Sequence, residues 1–475
     1  MGVTQFRECR RGALQSVADF YAPFTTLPAR THTGFTVRGQ ILGNKPAATP
    51  MPLQPQDSAT MKPIRTLPIL LATVLTASAQ LPPPAASDRG QLRPPRRHEP
   101  RARRLPPHHG PARFGDPLPG LTTAQKEAFA TGLDEFLNEE NAETGLGPIF
   151  NNVSCVSCHS APATGGGSVQ TVTRFGHAAG VAFDPLAELG GSLLQDKAIH
   201  PDALEIVPSE ANVTALRQST PLFGMGLIEA IPDGTIEGLA ARPSRDGIAG
   251  RVSRITDVTT GDVRVGRFGW KAQQATLLAF AGDAYRNEMG ITNRFFPTEN
   301  APNGDTARLS AWDGFADPED EADPVTGRSD IDTAADFMRL LGAPPQKSMS
   351  AAAKAGWGVF RQVGCDRCHE PVLMTGRNDI AALNRKAVPL FSDLLLHDMG
   401  ALGDGIAQAD AGAREMRTAP LWGLRASAPY LHDGRAPTVD AAIRAHDGEG
   451  ASSRDRYIRL REMQRRQLLE FLNSI

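Results

Sequence analysis

Cysteine is scarce in this chain, with five in 475 residues, and four of the five fall in two copies of one pattern: CVSCH at 155–159 and CDRCH at 365–369. Long apolar runs are missing too. The run Leu67 to Leu75 is well short of the roughly 20 residues a bilayer crossing needs, so it is not a membrane span. Aliphatic residues are nearly absent from 81–118, "LPPPAASDRGQLRPPRRHEPRARRLPPHHGPARFGDPL". Such a segment cannot bury enough apolar area to offset its ordering entropy. Net charge is close to nil at −2, but it is unevenly spread. Residues 1–115 hold 16 Lys/Arg against 5 Asp/Glu, and the rest 34 against 47. A basic head therefore precedes an acidic body.

Within the head, "MKPIRTLPILLATVLTASAQ" (61–80) has the layout of a secretory signal peptide. Lys62 and Arg65 supply the positive region, Leu67 to Leu75 the apolar region, and Ala77-Ser78-Ala79 the small-residue cleavage site. A signal starting at Met61 makes residues 1–60 an extension produced by a start site placed too far upstream. Cys9 drops out with it, leaving the four motif cysteines. Residues 80–118 then form a disordered Pro/Arg-rich tether, and the expected location is periplasmic.

From 119 the texture changes. Phe129, Leu133, Phe136 and Leu137 mark one helical face, and Thr122 with Gln125 forms a capping-box start. This helix leads into the first motif. Ser350 and a helical 351–364 lead into the second in the same way, and a closing helix over 457–475 buries Leu460, Met463, Leu468, Phe471 and Leu472. Helix, motif, irregular loops and closing helix make a cytochrome c-like plan, and motifs 210 residues apart are too distant for one such unit. The fold expected is mainly α with two haem lobes: 119–340, enlarged by loop-rich insertions, and 341–475. The acidic stretch 317–324 reads as a solvated loop.

The spacing in Cys-x-x-Cys-His has a chemical cause. Two thiols one helical turn apart each add to a vinyl group of one haem, and the adjacent His meets the iron. Structural zinc takes four ligands from paired knuckles, whereas each motif offers three. A thioredoxin-like pair wants a βαβ context, which is absent, and disulfides leave each following His unexplained. Cys155, Cys158 and His159 therefore hold one covalent c-type haem, and Cys365, Cys368 and His369 another. For the remaining axial positions the chain offers His177, His200, His397, His432 and His446, with Met225, Met289, Met374 and Met399 as sulfur alternatives.

Over about 119–475 the chain resembles the bacterial di-haem cytochrome c peroxidases, and more closely the di-haem, thiol-oxidoreductase-like branch related to them. The resemblance runs through "GLGPIFNNVSCVSCHS", "PLFGMGLIEAIPDG", "GRFGWKA", "LLLHDMG", "RTAPLWGL" and "PYLHDGRAPTVDAAIRAH". It implies that His446 is the distal ligand of the second haem, where Met is usual in the peroxidases. Two imidazoles there would lower the reduction potential relative to His/Met. It also implies that His177 is a detachable distal ligand of the first haem, on a Gly-rich loop. Calcium between the haems would rest on backbone oxygens of Ser427 and Pro429, with Gln218 where an Asn is usual.

For proton transfer to peroxide, Glu229 in the apolar "GLIEAIP" is the candidate, with Arg217 polarising peroxide or holding a propionate. His432 would orient the loop between the haems, Trp270 would lie on the electron path, and His397 and Met399 are second choices as distal ligands. The activity implied is peroxide reduction at the first haem. Electrons would come through the second from a small periplasmic donor, a cytochrome c or copper protein. An oxidase or oxygenase of an organic or protein substrate, and a pure electron carrier, are the alternatives. No nucleic-acid partner or integral membrane part is expected, and the resemblance implies a homodimer.

Overall fold

The computed structural model describes residues 113–314 and 322–475. The extension, the signal segment, most of the tether and most of the acidic stretch lie outside the described residues. The last six tether residues, 113–118, belong to the folded body. Phe114 packs on Phe223 with ring centroids 5.2 Å apart, Leu118 is buried, and its N–H donates to Leu340 O at 2.8 Å.

Each motif is preceded by a helix that crosses a second helix at a glycine. The first, Thr123–Leu137, starts at the expected capping box, with Gln125 N–H donating to Thr122 Oγ1 and Thr122 N–H to Gln125 Oε1. It lies on Asp330–Leu340, where Phe337 meets Phe129 and Phe136 at 5.3 and 4.6 Å. A Cβ at Gly132 would collide with the Thr333 carbonyl, so the close crossing requires glycine there. The second helix, Ala351–Val363, is capped by Ser350 and crosses Glu462–Leu472, with Gly356 against the Gln467 carbonyl. Trp357, Phe360, Phe391 and Phe471 form the aromatic core of that crossing. Truncating such a buried ring costs about 3–5 kcal/mol.

The closing helix expected over 457–475 is two helices, Ala451–Ile458 and Glu462–Leu472. Leu468, Phe471 and Leu472 are buried as expected, but Met463 is 70% exposed. Helical spacing carries the stripe back from 468 to 464 and 465, which leaves 463 off it.

The described residues contain eleven α-helices and eleven short strands, so strands take a larger part than the mainly-α expectation allowed. One antiparallel sheet has three strands, with Thr171–Ala179 between Ala182–Asp184 and Val213–Gln218. Its register pairs Val172 with Arg217 and Thr171 with Gln218, which brings polar side chains to one place from two distant segments. The hairpin Ser253–Thr256 with Val263–Gly266 opens into a segment carrying buried Arg267, Phe268 and Lys271 and half-buried Trp270. Helix Leu277–Ala284 follows, capped by Thr276, and runs into one π-helical turn, Tyr285–Met289. Such turns are frequent at functional sites. Among the described residues no helix is long and apolar enough to cross a membrane.

Candidate functional site

Cys155–Cys158 form a single helical turn, which sets the two sulfurs one turn apart and lets His159 follow as its C-cap. The His159 Nδ1–H donates to Gly166 O at 2.9 Å. This bond orients the ring as the outer hydrogen bond of a metal-bound imidazole does. Burial pushes His159 below its ordinary pKa, so it is the neutral base a metal requires. The motif borders a cavity of about 200 Å³. Among the described residues lining it, His159 is the one histidine.

Opposite chemistry comes from the π-turn and the sheet. Glu288 lines this cavity and accepts from Asn151 Nδ2 at 2.8 Å. Burial raises its pKa against the pull of Arg174 and that hydrogen bond. Asp283, one helical turn earlier, is raised for the same reason and also feels Arg174. The Arg174 guanidinium lines the cavity, with its Nε buried and without a protein partner. A carboxyl of raised pKa beside a cation has the make-up of a proton-transfer pair.

The second motif repeats the local geometry. Cys365–Arg367 make a tight turn, and the His369 Nδ1–H donates to Phe391 O at 3.0 Å. Burial first, and His446 next, push His369 down to about 4. His446 ends the helix Val439–Ala445 and donates its own Nδ1–H to Ala442 O at 2.8 Å. Both residues line a cavity of about 330 Å³, with ring centroids 6.5 Å apart. Metal–imidazole bonds of about 2 Å, with each ring centre about 1.1 Å further back, would separate two coaxial rings by about 6.3 Å. One iron fits between them.

The two cavities share a wall. Gln218, Ser219, Thr220 and Trp270 line both. Trp270 Nε1–H donates to Gln218 O at 2.8 Å, and its ring meets His432 edge-on at 6.2 Å. His432 is buried, and its carbonyl accepts from Gln218 N–H at 2.6 Å. Ser427 and Pro429 line the second cavity, and the side-chain oxygen of Gln218 is buried without a protein partner.

Several expected residues stand elsewhere. His177 is exposed on the strand Thr171–Ala179, donates Nδ1–H to Glu210 O at 2.7 Å, and lines neither cavity. Its segment is a paired strand rather than a free Gly-rich loop. Glu229 lines neither cavity. It pairs with Arg339 at 2.7 Å and accepts from Leu277 N–H at 2.7 Å, which anchors the start of a helix. Arg217 lines the first cavity, but its guanidinium is engaged by Asp404 at 2.7 Å and by Gln408. His397 has both ring nitrogens taken, Nε2 by Asp393 at 3.0 Å and Nδ1 by Glu449 at 2.7 Å. Burial would lower its pKa, but these bonds and Cys368 outweigh burial and keep it an imidazolium. Cys368, Asp393 and His397 lie close enough to suggest a metal cluster, but an imidazolium is no ligand. Met399 lines the second cavity. Glu288 and Arg174 had no motif to reveal them, although "YRNEMG" sits where a helix ends.

The donor set suits haem better than its rivals. Burial, ahead of nearby Glu135 and Asp366 respectively, pushes the Cys155 and Cys365 thiols up to about 12, unlike the acidic thiols of redox pairs. Each motif also faces a chamber of about 200 or 330 Å³, far larger than a metal ion alone requires. Residues 207–475, more than half of the chain, match the family described as "Di-haem oxidoreductase, putative peroxidase". The match takes in the second motif and begins downstream of the first. Cytochrome c peroxidase Ccp of Escherichia coli (strain K12) is 23% identical over 225 residues, covering 44% of this chain and 45% of that protein. The chain thus spans under half the length of this curated relative. Among solved structures, the diheme peroxidase BthA from Burkholderia thailandensis E264 aligns with 14% identity and a TM-score of 0.34, over 78% of this chain and 93% of that one. A MauG-like protein associated with microbial copper homeostasis aligns with 16% identity and a TM-score of 0.33, over 77% and 93%. The family match over most of the folded part settles the affiliation, and the chain belongs to the di-haem oxidoreductase family.

Proposed function

We propose that this protein is an exported c-type di-haem peroxidase that reduces hydrogen peroxide at its first haem and takes electrons through its second. The observation that carries the reading is the asymmetry of the two chambers. Around the second motif, His369 and His446 face each other at a separation that fits one iron. Around the first, His159 faces no second imidazole among the described lining residues, and Glu288, Asp283 and Arg174 are there instead. Two fixed ligands suit electron transfer, and an open position suits substrate.

When bound, haem supplies the electron exchange and the iron that binds peroxide. The protein's groups do the rest. Glu288, its pKa raised by burial and its carboxyl positioned by Asn151, moves a proton between the peroxide oxygens. Arg174 offsets negative charge as the O–O bond breaks. Trp270 and the Gln218 strand end span the space between the chambers, which supports an electron route there. The partnerless Gln218 oxygen beside Pro429 supports a calcium ion in the same wall. The signal-like segment 61–79 supports periplasmic placement, and a small cytochrome c or copper protein would be the donor.

Optical spectra of the half-reduced protein, recorded before and after hydrogen peroxide, test the reading. The first haem is expected to change and the second to stay six-coordinate. Two unreactive six-coordinate haems would leave an electron carrier as the better description.

A further inference from the structure

Tyr285 opens the π-turn that carries Glu288, lines the first cavity and is 1% exposed. Its phenolic O–H donates to Glu135 Oε1, on the helix leading into the first motif. After burial, the Cys155 sulfur is the largest electrostatic influence on the Tyr285 hydroxyl, and Glu135 is the largest on Cys155. Tyr285 and Cys155 thus line the same cavity, and the phenol is hydrogen-bonded to a carboxylate on the helix that leads into that motif. Burial pushes Glu135 up to about 7, opposed by the tyrosine hydrogen bond, with Asp330 and Glu140 adding to the rise. Near neutrality it is balanced between accepting and releasing a proton.

An oxidised phenol is a very strong acid, so a buried tyrosine gives up an electron readily only if a base takes its proton at once. Among the described tyrosines, Tyr457 also donates to a carboxylate, Asp440, but it lines neither cavity. Tyr285 alone combines the two features.

We infer that Tyr285 is a redox-active residue that supplies one of the two electrons used per peroxide. The inference rests on the peroxidase reading. Tyr285 loses one electron to the first haem site and its phenolic proton to the Glu135 carboxylate, becoming a neutral tyrosyl radical. Peroxide would take up this electron, a second one drawn from the second haem site, and two protons from solvent, giving two waters. The radical is then reduced by an electron arriving from the redox donor and recovers its proton from Glu135.

The test is freeze-quench electron paramagnetic resonance of the holoprotein mixed with hydrogen peroxide without donor. Optical spectra are recorded in parallel. An organic radical is expected that narrows when tyrosine is ring-deuterated and falls by about tenfold or more in Tyr285→Phe. Glu135→Gln, which keeps the fold contacts but cannot take the proton, should weaken it comparably. A haem change with no tyrosyl signal, or a signal that persists in Tyr285→Phe, overturns the inference while leaving the peroxidase reading standing. If the haems ignore peroxide, that reading falls. A second arm then decides Tyr285 by itself, using light-driven oxidation with tris-bipyridyl ruthenium and persulfate. A Tyr285-dependent radical sustains its redox role, and the lack of one ends it.

Discussion

Lys271 Nζ lies 2.9 Å from Asp404 Oδ1, and both side chains are fully withdrawn from solvent. The same carboxylate takes Arg217 on its other oxygen, so two buried cations share one anion. Burial would raise the Asp404 pKa, but the cations outweigh it and hold it below the usual carboxylate range. Asp404→Asn would strand both charges and should cost about 3–5 kcal/mol, measured by urea denaturation. A loss under about 1 kcal/mol would show that water or movement relieves the pair.

Replacing His446 by Ala should convert only the second haem to a high-spin spectrum. Replacing His177 by Ala should leave both spectra as they were, since His177 lies exposed on a strand and binds Glu210. A changed first-haem spectrum in His177→Ala would restore it as a ligand and require that strand to move.

Glu288 and Glu229 offer a paired test. Glu288→Gln should lower peroxide turnover by about 100-fold or more with haem spectra retained. Glu229→Gln should leave turnover per folded molecule near wild type. It should also cost about 1–3 kcal/mol, because Arg339 and the Leu277 amide lose a charged partner. The reverse outcome would return the acid–base role to Glu229.

Buried Glu205 accepts from the amides of Gln195 and Asn303, yet burial pushes it up to about 7. Its unfolded value is near 4.5, so between these pH values the native state holds the extra proton. Its contribution is therefore complete below about 4.5 and is lost as pH rises through about 7, by up to about 3 kcal/mol. Urea midpoints at pH 5 and pH 8 should converge in Glu205→Gln relative to wild type. An identical difference in both proteins would exclude Glu205 as the cause.

The two Cys-x-x-Cys-His turns were legible because their geometry is local: five contiguous residues define where the sulfurs and imidazole lie. The helices Thr123–Leu137 and Ala351–Val363 were legible for a similar reason, each carrying its cap and apolar stripe within one segment. His446 could be placed opposite His369 only through likeness to a family. Glu229 stands out in sequence as a lone acid in the apolar GLIEAIP, whereas Glu288 follows Arg286 and Asn287 and looks like an ordinary surface acid. What decides between them is non-local, Asn151 and Arg174 for Glu288 and Arg339 for Glu229. The break at 459–461 carries no proline or glycine, so helical periodicity ran through it unmarked.

Because one strand end and one indole form the partition between the chambers, the sites are mechanically dependent on each other. A bulkier side chain at Ser219 or Thr220, introduced to reshape the first chamber, would press on the second as well. Under the proposed division of labour, altering specificity at one chamber would therefore shift electron flow through the other, and variants selected for one property should be screened for the other.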